Sequence, residues 1–198
     1  MAGPPQKGAS ENAHVVLIDE TGVQLAPLRR RTWAKRGCRP LLRQFAGTRQ
    51  KISAIAALTI SPKTHRRNLY FQTLIDGSYN SARVAAFLRE LLKQLPGRII
   101  VIWDNGPMHK GFAIRQLLKR HPRLTLEWLP PYAPELNPVE QLWSHLKFGY
   151  CSNFIPEDLQ HLDDEATEFL VETKFNTNFL QSYRKETPLK NGIRNMAA

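Results

Sequence analysis

Apolar and polar positions follow a strand-like pattern over the first third of the chain and then switch to a helical period. His14 to Ile18 is a short apolar run of strand type ending at Asp19, and Thr21-Gly22 follows as a turn. Residues 23–33 alternate weakly and form a candidate second strand, and Gly37 to Gly47 is loop-like. Lys51 to Ile60 reads as a third strand closed by Ser61-Pro62, and Asn68 to Ile75 as a fourth before a turn at Asp76-Gly77. The period then changes: Val84, Phe87, Leu88, Leu91, Leu92 and Leu95 recur at helical spacing until Pro96-Gly97. Ile99 to Trp103 is continuously apolar, as expected of a strand buried on both faces, and it ends at Asp104-Asn105-Gly106-Pro107. A helix over 109–121, a strand from Leu124 to Leu129, a stiff Pro130–Pro134 loop and a helix opening at Asn137-Pro138 come next. Residues 157–183 predict one or two further helices. Residues 1–13 read as a disordered lead and 186–198 as a frayed tail. The order is that of a mixed α/β fold, a central sheet covered by helices.

Composition narrows the class. Hydrophobic residues make up 42% and charged residues 23% of 198, ordinary for a globular domain. No apolar run reaches the roughly 20 residues needed to span a bilayer, and the first ten residues lack an apolar signal core. A cytoplasmic, nucleoid-associated protein without a membrane partner is expected. Cys38 and Cys151 have no metal-site spacing and read as reduced thiols.

Charge is uneven. Residues 1–70 hold 13 Lys/Arg against 3 Asp/Glu, whereas 71–198 hold 15 against 14, so nearly all of the net +11 sits in the first third. Arg29, Arg30, Arg31, Lys35 and Arg36 are its densest part. A polyanion such as nucleic acid suits that surface; a solvated face that aids solubility is the plainer explanation.

Two acids sit where strands end. Asp19 follows Val15 to Ile18, and Asp104 follows Ile99 to Trp103. If the two strands are neighbours, the carboxylates lie close together at the sheet edge where open α/β sheets place ligands. Their repulsion is relieved by a divalent cation, and Mg²⁺ takes oxygen ligands while keeping several waters. Phosphodiester chemistry needs an activated hydroxyl and a stabilised leaving oxygen, and two metals about 3.5–4 Å apart supply both. Glu140 has two explanations. Asn137, Pro138 and Glu140 fit the N-cap, N1 and N3 positions of a helix start, so capping alone accounts for it. It also lies at the edge of the Val139, Leu142, Trp143 and Leu146 stripe and could point back to the sheet. Glu20 should face away from Asp19 by strand alternation, while Asp76 reads as a turn residue and Glu135 as solvated.

The motifs carry a resemblance. Trp103 to Lys110, WDNGPMHK, resembles the "DNxPxH" segment of mariner-superfamily DDE transposases. Pro131 to Trp143, PYAPELNPVEQLW, is similar to that family's "PYSPxLNPIExxW" signature, and Leu17 to Gly22 to its "DES/TG" element. The 35 residues between Asp104 and Glu140 match the bacterial insertion-sequence branch. The resemblance covers roughly residues 14–170. It implies a ribonuclease-H-like fold, a five-stranded mixed sheet flanked by helices with a C-terminal helical extension, filling residues 14–185. It also implies Asp19, Asp104 and Glu140 as catalytic metal ligands, two Mg²⁺ or Mn²⁺ ions, cleavage at transposon ends, and joining to double-stranded target DNA.

Family members carry helix-turn-helix modules before the catalytic domain, whereas about 13 residues precede the first strand here. A catalytic half is therefore expected, from a split element or a truncated copy. A homodimer and a separate helix-turn-helix subunit or upstream-frame product stand as candidate partners. Arg29, Arg30, Arg31, Lys35, Arg36, Lys110 and Trp33 are candidate DNA contacts; a solvated face is the alternative. Asn105, His109 and Asn137 could support the metal ligands. For Asn105 and His109, capping of the helix that begins near His109 is the favoured alternative. A stand-alone ribonuclease-H-like nuclease and an inactive DNA-binding remnant are the competing functions.

Overall fold

The computed structural model describes residues 12–26, 28–31, 33–38, 50–130 and 134–183. The lead over 1–11, the tail beyond 183 and most of the Gly37–Gly47 loop fall outside them. Five strands form one sheet: β1 (Ala13–Gln24), β2 (Lys51–Ile60), β3 (Arg67–Ile75), β4 (Arg98–Trp103) and β5 (Leu124–Trp128), in the order β3-β2-β1-β4-β5. β1, β2 and β3 pair antiparallel, and β4 and β5 join parallel to β1 and to each other. The helices are α1 (Ser81–Gln94), α2 (Phe112–Arg120), α3 (Pro138–Ser144), α4 (Leu159–Phe175) and α5 (Thr177–Ser182). A 3₁₀ turn spans Pro107–Lys110 and a π-helix spans His145–Tyr150. The expected five-stranded mixed sheet with a C-terminal helical extension is present.

One expectation is corrected. The chain does not turn at Thr21-Gly22; β1 runs straight through to Gln24. Glu20, Thr21 and Gly22 pair with Ile55, Ala54 and Ser53 of β2, and this ladder outweighs the local turn preference of the pair. Of the expected second strand, Val23 and Gln24 belong to β1, and Leu28 makes a single bridge to Ser152.

Alternation along β1 divides the core. Val15 and Leu17 face α3, α4 and α5 with Trp143 and Leu146; Val16 and Ile18 face α1 and α2 with Trp103 and Ile114. β4 is apolar on both sides because each face is covered by helices. Helix ends are fixed locally. Asn80 caps α1 by accepting from Arg83 N (3.0 Å), and Asp158 caps α4 by accepting from His161 N (2.8 Å). At the other end of α1, the Arg123 guanidinium donates to the carbonyls of Leu92, Leu95 (2.6 Å) and Gly97 (2.9 Å). Both cysteines are free thiols; Cys38 is exposed and Cys151 buried. Among the described residues no helix is long and apolar enough to cross a membrane.

Candidate active site

The register of β1 on β4 brings the first two acids together. Leu17 lies opposite Ile102 in the parallel ladder, so two residues further on Asp19 comes level with Asp104. Neighbouring strands run about 4.8 Å apart. β4 stops at Trp103 while β1 continues, so Asp104 leaves its strand beside Asp19, which stays in the sheet opposite Ala56. Asp19 is 7% exposed and its Oδ2 has no hydrogen-bond partner. Burial, then the charges of Glu140, Glu20 and Asp104, push its carboxyl up to about 8.

The third acid arrives on α3. Asn137 is buried and holds that helix to the sheet in two ways. Its Nδ2 donates to Ile18 O (3.1 Å), one residue before Asp19, and its Oδ1 accepts from Val139 N (3.2 Å). Pro138 fills N1, so Glu140 comes at N3, and its charge is the largest acting on Asp19. Asn137 supplies the cap; the Glu140 side chain is exposed and close enough for its charge to act on Asp19.

Around Asp104 the contacts are short. Its Oδ1 accepts from Gly106 N (3.3 Å) and lies 2.5 Å from His109 Nε2. The His109 ring is 2% exposed and stacks on the Trp103 indole, with centroids 3.6 Å apart. Burial lowers the His109 pKa, and the Asp104 charge opposes that shift. The side chain of His109 caps nothing: the 3₁₀ turn has Gly106 at its N-cap and α2 has Gly111, neither with a side-chain cap bond. Asn105 is exposed.

Glu20 points away from Asp19, as alternation requires, yet it does not leave the neighbourhood. Its Oε2 is 3.8 Å from His109 Nε2, and burial followed by the Asp104 charge pushes its carboxyl up to about 7. Sequence reasoning also passed over Lys147. This half-buried lysine on the π-helix feels the charges of Glu140 and Asp19, which oppose the lowering of its pKa by burial. Its spacing of seven from Glu140, two helical turns along one face, was the available signal. Lys147 also borders a groove of about 530 Å³ lined by Gly22 to Ala26, Phe148, Cys151 and Phe154.

Among the described residues no three His, Cys, Asp or Glu side chains are gathered closely enough to enclose an ion. The donor set nevertheless fits a hard divalent cation in kind. Asp19, Asp104 and Glu140 offer oxygen ligands only, and one buried oxygen lacks any partner.

The candidate DNA contacts divide. Arg29, Arg31, Lys35, Arg36 and Trp33 are exposed. Arg30 is exposed too but is tied down: its backbone N–H donates to Asn153 Oδ1 (2.8 Å), its guanidinium to Phe148 O (2.8 Å), and it lies over the Phe148 ring. Lys110 sits over the Trp128 ring, 5.7 Å from its centroid.

Residues 14–161 match the family described as DDE superfamily endonuclease. Over 48 residues the chain is 42% identical to the uncharacterized protein y4pE/y4sA of Sinorhizobium fredii, which covers 24% of this chain and 36% of that protein. Among solved structures, the fold resembles the Mos1 mariner paired end complex with Mn (TM-score 0.64, 18% identity, 93% of this chain and 56% of that one). It also resembles the Mos1 transposase paired-end complex with left transposon end (TM-score 0.60, 19% identity, 88% and 52%). The chain thus spans about half the length of those Mos1 chains.

Proposed function

The chain belongs to the DDE superfamily endonucleases, and from that membership we propose that it is the catalytic domain of a metal-dependent DNA transposase, cutting phosphodiester bonds at transposon ends and joining them to target DNA. The observation that carries this is the register of Asp19 and Asp104 on adjacent parallel strands, with the charge of Glu140 acting on Asp19 from a helix bonded to Ile18 O.

In this reading Asp19, Asp104 and Glu140 hold two Mg²⁺ or Mn²⁺ ions. When bound, such ions activate the attacking hydroxyl and stabilise the leaving oxygen. Burial of Asp19 places a carboxylate where little water competes for an incoming cation. Asn137 fixes the distance between α3 and the sheet, so Glu140 approaches from a rigid base. Lys147 adds a cation beside two of the three acids, where a scissile phosphate would also be attracted. The exposed Arg31, Lys35 and Arg36 supply contacts to the sugar–phosphate backbone that carry no sequence information.

The test is Mn²⁺-dependent nicking and strand transfer on duplexes bearing the element's ends, with hybrid and junction substrates beside them. Asp19→Asn, Asp104→Asn and Glu140→Gln should each lower the rate by about 10²–10³-fold. Full activity in Asp104→Asn would overturn the assignment. A preference for RNA–DNA hybrids or junctions over transposon ends would replace transposase by nuclease.

A further inference from the structure

We infer that His109 is a positioning residue for Asp104: with the Gly106 amide it clamps one oxygen of that carboxylate so that the other is presented to an ion. This rests on the metal-dependent reading of the three acids.

Asp104 lies just past the end of β4 and its side chain is largely exposed, so nothing in the strand holds its rotamer. Two donors converge on Oδ1, the Gly106 amide at 3.3 Å and His109 Nε2 at 2.5 Å. Both come from the loop that follows. The imidazole cannot drift, because it is buried and stacked on Trp103. Its proton has one place to go: Nδ1 is buried without a partner among the described residues, so the N–H sits on Nε2, facing Asp104. Glu20 Oε2 is the competing acceptor, but at 3.8 Å it is beyond hydrogen-bond reach.

Gly106 makes the arrangement sterically specific. A Cβ there would lie 3.0 Å from His109 Cδ2 and Nε2 and 3.3 Å from Asp104 Oδ1. The backbone at Gly106 has φ −60° and ψ 146°, which any residue adopts. An alanine would therefore leave the chain path alone and press on ring and carboxylate, so that one or the other must give by a few tenths of an ångström. A residue without a side chain lets ring and acid meet here without that crowding.

The experiment is calorimetric titration of the full chain with Mn²⁺ in the absence of DNA, alongside thermal unfolding of each variant and the Mn²⁺ concentration giving half-maximal nicking. Outer groups that orient metal ligands are worth about 10–100-fold in affinity. His109→Ala should weaken Mn²⁺ by that factor, His109→Gln, which keeps an N–H donor, should recover most of it, and Gly106→Ala should weaken it several-fold. The half-maximal Mn²⁺ concentration should move in step. A purely structural role would lower the unfolding temperature and leave Mn²⁺ affinity of the folded protein alone. If His109→Ala is too unstable to titrate, Gly106→Ala, which removes no polar group, decides the matter. Weakening by Asp104→Asn with Mn²⁺ affinity unchanged in both His109→Ala and Gly106→Ala overturns the clamp and spares the function. Unchanged affinity in Asp104→Asn overturns the function and the clamp together.

Discussion

At the scale of single residues, the site is an electrostatic conflict held in place by packing. Asp19 keeps its proton to about pH 8 when folded, against an ordinary 3.8, so between those values the folded chain binds more protons than the unfolded one. Stability must then fall as pH rises through that window and level off above it; Glu20, raised to about 7, acts in the same direction. Thermal unfolding in chelator should show the melting temperature of wild type falling relative to Asp19→Asn from about pH 5 to pH 8. A difference that stays flat or grows in favour of wild type would contradict the burial argument. Asn137 offers a second test. Asn137→Ala removes both the cap of α3 and its bond to Ile18 O, and denaturant unfolding should register a loss of about 1–2 kcal/mol. Catalysis should drop further than stability, because Glu140 loses its fixed approach.

At the scale of elements, the two parallel strands and α3 position the acids, and this is the part most legible in the sequence. Val15 to Ile18 and Ile99 to Trp103 announce themselves as buried strands, and Asn137-Pro138 as a helix start, because each rests on local chemistry. Thr21-Gly22 misled for a physical reason: a turn pair is overridden when ten consecutive residues find partners on β2. Glu20 shows a subtler limit. Alternation placed it on the correct face, but only the three-dimensional loop after β4 could bring His109 and Asp104 back to that face. The π-helix over His145–Tyr150, which carries Lys147, has no periodic signature of its own. The Arg123 clamp on α1 was likewise invisible, since it joins residues about thirty positions apart. Arg123→Lys should recover only part of the roughly 1.5–3 kcal/mol that Arg123→Ala costs in denaturant unfolding, because a single ammonium nitrogen replaces two nitrogens that reach Leu92 O on one side and Leu95 O and Gly97 O on the other.

At the scale of the whole molecule, charge is segregated along the chain: nearly all the net positive charge lies in the first third, while the acids of the site come from Asp19, Asp104 and Glu140. Duplex binding should depend steeply on salt, at about 0.9 in log–log slope per phosphate contacted. Replacing Arg31, Lys35 and Arg36 together by serine should flatten that slope by about 2–3 without altering metal affinity. An unchanged slope would place the contacts elsewhere. The two thiols lend this region a practical use. Cys151 is buried and its thiol is pushed up to about 11, whereas Cys38 is exposed two residues from Arg36. Because the thiolate is the reacting form, a maleimide fluorophore at neutral pH should label the native chain once, at Cys38. The natural sequence thereby carries a single-site optical probe beside its densest positive charge, where anisotropy would follow a duplex arriving and leaving in real time.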